Sequence, residues 1–419
     1  MQFFSSEDKS LFFSNFINLF FVKLLSKFAP LIITGYVISV LGMFEYGKIS
    51  FAKAVAFYFT TLISYGFDYT GAQQVIQANA ERSRTKINYV ISNIFAAQII
   101  SIVFLIFFYF GLVDFFPKIT EIKLELLYFL GVAIASALFP IYIFHGINQI
   151  WIVSLLSFLS KVVLCILVPF FVKTPDDKLN FILIHASVDF VRLIISYIIL
   201  FFNFRIRIQI HNVCEIIEQF RNGFSFFIYQ CYLLFGSKFS IVFLGFILND
   251  PILVGIFSLC NHLFGFIKEI YNAAIQALYP IVSIKFSSHK NIANFVFHYL
   301  LIILPVVLII SLLTYISAPF ILNFFTTEQL SLNIQLFKIL IIIFPVIAVN
   351  EFLGTNILIP MRKSAIFVVM MLICIGLSII FHFYFVSTFG IFGGAYAIFA
   401  QEVSLLVLQI AFLLFYSFF

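Results

Sequence analysis

Twelve stretches of about 20 or more largely apolar residues follow one another along this chain, with only short polar interruptions. They run approximately over 12–41, 49–74, 88–113, 124–146, 151–172, 180–203, 222–248, 252–280, 292–316, 334–357, 364–386 and 391–415. A helix of about 20 residues crosses the hydrocarbon core of a bilayer, and a helix satisfies its own backbone donors and acceptors there. Twelve such spans use nearly all of the 419 residues, so no sizeable soluble domain fits between them. Charged residues make up 10% of the chain, against about 25% in soluble domains. A water-soluble globular protein, a disordered chain and a nucleic-acid binder are thereby excluded. The formal charge of +6 is no footprint for nucleic acid, because the basic residues sit singly or in short clusters beside apolar runs, as membrane anchors do.

Orientation follows from the loops. One set holds Lys9, Arg82, Arg84, Lys86, Arg205, Arg207, Arg221, Lys285, Lys290, Arg362 and Lys363; the other holds Lys48, Lys118, Lys123, Lys173 and Lys178, with most of the loop acids. The excess of Lys and Arg predicts that both termini are cytoplasmic. Prolines fall inside spans at Pro30, Pro140, Pro169, Pro305 and Pro345, where kinks are expected. The run from Phe204 to Asn222 is the longest polar stretch and reads as an amphipathic segment on the inner leaflet. It divides the chain into a six-span half at 1–203, a linker at 204–221 and a second half at 222–419. A faint repeat supports the division: Leu24–Phe28 is echoed at Leu234–Phe239, and Leu41–Ser50 at Leu248–Ser258. Repeats of six in one orientation predict two bundles related by an axis along the membrane normal.

Charges inside spans cost roughly 2.5–3.5 kcal/mol each at a helix centre on insertion scales. They are Lys23, Lys27, Lys53, Asp68, Lys161, Asp189 and Arg192, then Lys238, Lys268, Glu269, Lys338, Glu351 and Glu402. Lys23 and Lys27 share a helix face. Together with Lys161 and Lys238 they lie deep in their spans and have no adjacent acid, which predicts a polar, positive cavity suited to an anionic substrate. Asp189 and Arg192, three apart, read as a local ion pair. Lys268 and Glu269 are neighbours pointing to different faces, so each needs a partner of its own. Lys53 and Lys338 lie near predicted helix ends and receive no role. Asp68, Glu351 and Glu402 are candidates for ion coupling or, equally, partners of the lysines. The histidines are scattered, and the five cysteines (Cys165, Cys214, Cys231, Cys260 and Cys374) have no metal spacing and read as small hydrophobes. No signal peptide is apparent. With no phosphate loop, nucleophile elbow or metal motif, the chain reads as a non-enzyme without a cofactor.

Several motifs occur in order. Leu41-Gly42-Met43-Phe44-Glu45-Tyr46-Gly47 precedes Tyr65-Gly66-Phe67 at the end of the second span, and Phe171-Val172-Lys173-Thr174-Pro175-Asp176-Asp177 follows the fifth. Gln276-Ala277-Leu278-Tyr279-Pro280, Gly354-Thr355-Asn356-Ile357-Leu358-Ile359-Pro360 and Gly390-Ile391-Phe392-Gly393-Gly394-Ala395 complete the set. On a twelve-span frame the chain resembles the O-antigen and polysaccharide flippases of the multidrug/oligosaccharidyl-lipid/polysaccharide exporter superfamily. That resemblance implies an all-α membrane protein, with twelve transmembrane helices in two six-helix lobes around a central cavity. It also implies a place in the bacterial inner membrane and the movement of undecaprenyl-pyrophosphate-linked oligosaccharide units between leaflets. Membrane lipids, a glycan polymerase and a chain-length regulator are the partners it suggests. Family members often carry an Arg after the Gly-Phe turn where this chain has Gln73, so a role tied to that cation does not carry over. The expectation that Lys23, Lys27, Lys161 and Lys238 line the lumen agrees with the resemblance, because a diphosphate cannot enter hydrocarbon unaided. The rival readings are a drug or cation antiporter of the same superfamily, which calls for an acidic cavity, and a glycan-polymerising membrane enzyme, which calls for a larger outer loop.

Overall fold

The computed structural model describes residues 6–206, 213–236, 238–286, 292–361 and 363–418, with side chains from 28 onward except at 213, 279–281, 283–286, 292–295, 364 and 416–418. The described chain is helical almost throughout. The first helix, α1 (Ser6–Ser64), holds 59 residues and is interrupted at Gly42, whose φ of 78° and ψ of 165° leave helical space. At 1.5 Å per residue an unbroken rod of that length would measure roughly 88 Å, about three times the hydrocarbon thickness. Gly42 therefore divides two passages. The second resumes at once, six residues before the sequence places it, and carries Lys53 into the middle of a helix rather than near its end.

Tyr65 and Gly66, with φ of 41° and 77°, interrupt that second passage. The Tyr-Gly-Phe motif does not end the span, because α2 (Phe67–Ala80) starts directly after it. Next come α3 (Arg84–Phe115), capped by Ser83 Oγ accepting from Lys86 N at 3.3 Å, and the single turn α4 (Pro117–Thr120). The fourth span is α5 (Lys123–Ala137) and α6 (Ile141–Gly146), broken at 138–140 where Pro140 supplies no N–H. Pro30, Pro169, Pro305 and Pro345 lie inside continuous helices. The fifth and sixth spans are α7 (Ile150–Phe171) and α8 (Lys178–Phe202), joined by a 3-10 turn. There Asp177 Oδ2 accepts from Thr174 N at 2.9 Å.

The linker expected at 204–221 is in part the start of α9 (Val213–Phe235), which α10 (Phe239–Ile247) follows after a bend. Then come α11 (Pro251–Phe286), α12 (Ile292–Phe325) and α13 (Leu330–Glu351). A π-helical stretch at Phe352–Leu358 continues α13, and α14 (Ser364–Phe389) and α15 (Ile391–Phe418) close the chain around Gly390. Among the described residues ten helical stretches are long and apolar enough to cross a membrane, and the bent α9–α10 pair makes eleven. One of the ten, Phe28–Ala80, contains the Gly42 division. Counting it as two gives the twelve spans expected from the sequence.

Grouped by contacts, the chain forms two compact units. One comprises Val40–Leu234 and Asn249–Ile252; the other comprises Met1–Ser39, Phe235–Leu248 and Leu253–Phe419. We call them the amino-terminal and carboxy-terminal units. In the amino-terminal unit α2 packs on α6 and α3, and α8 on α5 and α7. Glycines permit the closest approaches: a Cβ on Gly71 would lie 2.7 Å from Tyr142, and one on Gly146 2.2 Å from Val75. In the carboxy-terminal unit α15 packs on α10, α13 and α14, and α12 on α13. Both units turn large apolar side chains outward, among them Phe107, Phe202, Phe320 and Phe324, as a lipid-facing surface requires.

Candidate functional site

In the amino-terminal unit the polar residues of α8 recur along one face. Lys178, His185, Asp189, Arg192 and Ser196 are spaced 7, 4, 3 and 4 apart, which is helical repetition. At the outermost level of this face Lys178 Nζ sits 3.0 Å from Glu45 and 3.0 Å from Glu125, tying α1, α5 and α8 together. Lys48 adds a 3.6 Å contact to Glu45.

Two turns deeper His185 lies within electrostatic range of Lys53, Lys161 and Arg192. Lys53 is eleven residues from Gly42 and Lys161 ten from the end of α7, so both lie roughly 15 Å along their helices from the same end of the unit. Asp189, 4% exposed, holds Arg192 at 3.3 Å, accepts from Ser136 Oγ at 3.5 Å, and leaves the guanidinium 4.4 Å over the Phe139 ring. The local ion pair read from the sequence is therefore present. Arg192, with Lys53 and Lys161, makes three cations in electrostatic range of His185.

Lower still, Asp68 occupies the first turn of α2, beside the Tyr65–Gly66 interruption. Among the described residues no side chain donates to its carboxylate or pairs with it. Its electrostatic neighbours are Tyr69 and Tyr142. Tyr142, 1% exposed, has a hydroxyl without a hydrogen-bond partner, and its ring covers Gly71. Tyr197 Oη donates to the carbonyl of Leu138 at 3.3 Å, in the break of the fourth span. The helix interruptions in this unit thus fall next to its polar groups, a placement that sequence hydropathy does not register because both interruptions are only a few residues long.

The carboxy-terminal unit gathers acids. Lys268 of α11 reaches Glu351 of α13 at 3.1 Å, and Glu402 of α15 and Glu269 lie within electrostatic range of the same ammonium. Asn350 Nδ2 donates to Glu402 Oε2 and to the Glu402 carbonyl, each at 2.8 Å. Tyr271 Oη donates to the Ala348 carbonyl at 2.6 Å. Glu351 is the last residue before the π-helical stretch, and such widened turns recur at functional positions.

Of the four lysines read as lumen residues, Lys161 belongs to the cluster around His185. Lys238, half-buried, stands at the bend between α9 and α10 as the residue before α10. Lys23 and Lys27 fall within α1, with side chains outside the described residues. Lys53, given no role by its position in the sequence, is the residue that sequence reasoning missed; the Leu41-Gly42 turn, had it been taken as the helix boundary, would have put it deep. Lys338 lies 4.5 Å over the Tyr315 ring.

Residues 12–286, more than half of the chain, match the family model described as polysaccharide biosynthesis protein. A protein of Escherichia coli (strain K12) provisionally named an O-antigen transporter is 26% identical over 272 residues. That match spans 64% of this chain and 64% of the relative, just under two thirds of its length. Among solved structures, an inward-facing multidrug resistance MATE family transporter of the MOP superfamily superposes with a TM-score of 0.75 at 12% identity, covering 92% of this chain and 93% of its own. The lipid II flippase MurJ, in an inward closed conformation, gives 0.70 at 13% identity over 97% and 87%. At these identities the likeness is one of fold.

Proposed function

This chain belongs to the polysaccharide biosynthesis protein family, and from that premise we propose that it is a flippase carrying oligosaccharide units on an undecaprenyl diphosphate between leaflets of the bacterial inner membrane. The observation that carries this reading is the set of cations that act on His185. Lys53, Lys161 and Arg192 lie within electrostatic range of it in the amino-terminal unit, and Asp189 bonds Arg192. A diphosphate headgroup bears about two negative charges and is costly to desolvate without such counter-charges. The name of the Escherichia coli relative and the fold likeness to a lipid II flippase support the same substrate class.

In this reading Lys161 and Lys53 hold the headgroup, Lys23, Lys27 and Lys238 extend the positive path, and the polyprenyl tail stays in lipid. Transport is by alternating access, with both termini cytoplasmic. Asp68, beside the unpartnered hydroxyl of Tyr142, is the candidate group for ion coupling; Glu351, which bonds Lys268, and Glu402, which accepts from Asn350, are the other two. A glycan polymerase and a chain-length regulator would take up the product on the outer face. The work is transport rather than bond-making.

The test is surface-glycan display by single Lys53→Ala and Lys161→Ala variants at matched membrane levels. The expected result is a loss of long surface chains of at least tenfold, with lipid-linked single units accumulating inside. Normal display by both variants overturns the assignment. A drug antiporter is the second reading, favoured by the MATE fold likeness; it predicts drug resistance in a pump-deleted strain and no stalled glycan.

A further inference from the structure

The acids of the carboxy-terminal unit surround a cation that the chain supplies itself. Lys268 Nζ lies 3.1 Å from Glu351 Oε1, with Glu402 and Glu269 in electrostatic range. One formal positive charge therefore faces three formal negative ones, on helices read as membrane spans. Several oxygens at this place also lack partners. Glu351 Oε2, Asn350 Oδ1 and Gln409 Oε1 are buried and accept no hydrogen bond. Asn350 is 3% exposed and Gln409 0%. The amide of Asn350 is held against Glu402, and Gln409 Nε2 donates to the Asn350 carbonyl at 3.4 Å, so these orphaned acceptors belong to one connected group. Buried acceptors without donors are rare in native proteins. A set of carboxylate and amide oxygens is what a hard cation selects. An ammonium on a four-carbon stem is a point cation that can stand in such a place.

We propose that Lys268 is a tethered cation filling an oxygen-lined site formed by Glu351, Glu402, Asn350 and Gln409, and that this site takes Na+ or Li+ once the ammonium is removed. The wild-type protein then keeps a cation at this site without binding an alkali ion there. The inference concerns this site alone and does not depend on what the chain transports.

Thermal unfolding of the purified full-length protein in lipid nanodiscs tests it, in NaCl, LiCl, KCl and choline chloride at equal ionic strength. The wild type is expected to show the same midpoint in NaCl as in choline chloride. Lys268→Ala is expected to unfold several degrees lower in choline chloride and to recover saturably with Na+ or Li+, since a ligand that binds only the folded state raises its stability. Adding Glu351→Gln to Lys268→Ala removes the recovery, and Lys268→Arg stays insensitive to the ion. If Lys268→Ala folds only when prepared in NaCl, the proposal stands on that dependence. A saturable Na+ response of the wild type that Glu351→Gln abolishes and Asp68→Asn leaves intact overturns it. So does a Lys268→Ala protein that gains nothing specific from Na+ or Li+, or a failure to obtain folded Lys268→Ala and Lys268→Gln in any of the four salts.

Discussion

The two units handle buried charge in opposite ways. The amino-terminal unit brings Lys53, Lys161 and Arg192 toward one histidine and offers Asp189 as the bonded carboxylate. The carboxy-terminal unit brings Glu351, Glu402 and Glu269 toward one lysine. Each also interrupts a helix beside its charges: the first at Tyr65–Gly66 and 138–140, the second with the π-helical stretch after Glu351. The cations near His185 suit an anionic ligand, whereas the acids of the carboxy-terminal unit already hold a cation of the chain's own, with an amide bonded to Glu402. The contrast teaches that identical chemistry, a lysine in a membrane helix, serves binding or balance according to what the neighbouring helices carry.

The largest expected effect breaks the comparison at its ion pair. Glu351→Leu removes the carboxylate bonded to Lys268, and losing a hydrogen bond to a charged group costs about 1.5–3 kcal/mol. Lys161→Leu, which relieves repulsion among like charges, is expected to leave the unfolding midpoint unchanged or higher. If Lys161→Leu proves the more damaging to stability, the amino-terminal cluster is a structural pair and the contrast fails. A smaller effect separates the interruptions. Gly66 has φ of 77°, and a Cβ there would sit 2.7 Å from the Cβ of Phe226 and 3.0 Å from the Gly223 carbonyl. Gly66→Ala should lose about 1–3 kcal/mol from backbone conformation alone, while Gly376→Ala, with nothing within 4 Å, should be neutral or gain about 0.5 kcal/mol. Equal midpoints for the two alanine variants would show that the Tyr65–Gly66 break is not held by its packing. The smallest change is Tyr142→Phe. Removing a hydroxyl that bonds to nothing is expected to shift stability by less than about 0.5 kcal/mol; a larger loss in the same unfolding assay would mean that Asp68 and Tyr142 share a bound proton, ion or water.

Much of the frame was legible in the chain itself. Twelve apolar runs and the local pair Asp189–Arg192 needed only periodicity and spacing. The breaks were harder. Tyr65-Gly66-Phe67 reads as the end of a span, because a left-handed glycine commonly closes a helix. The interruption at 138–140 left only Pro140 as a sign, and Pro30, Pro169, Pro305 and Pro345 show that a proline in a span can leave the helix continuous. Lys53 was passed over because its depth depends on where the helix begins, and that boundary was placed six residues late.

What the amino-acid sequence determined alone was a membrane-spanning helical frame and the price of placing thirteen charges within it. Those follow from hydrophobic length and from the cost of burying an ion, and neither depends on which helix lies next to which. The tertiary structure decided the partners: Lys268 with Glu351, Asn350 with Glu402, and Lys53 with Lys161 at His185. Pairing between helices is set by crossing geometry and close approach at glycines such as Gly66 and Gly71, which a linear pattern of apolar and polar residues does not encode.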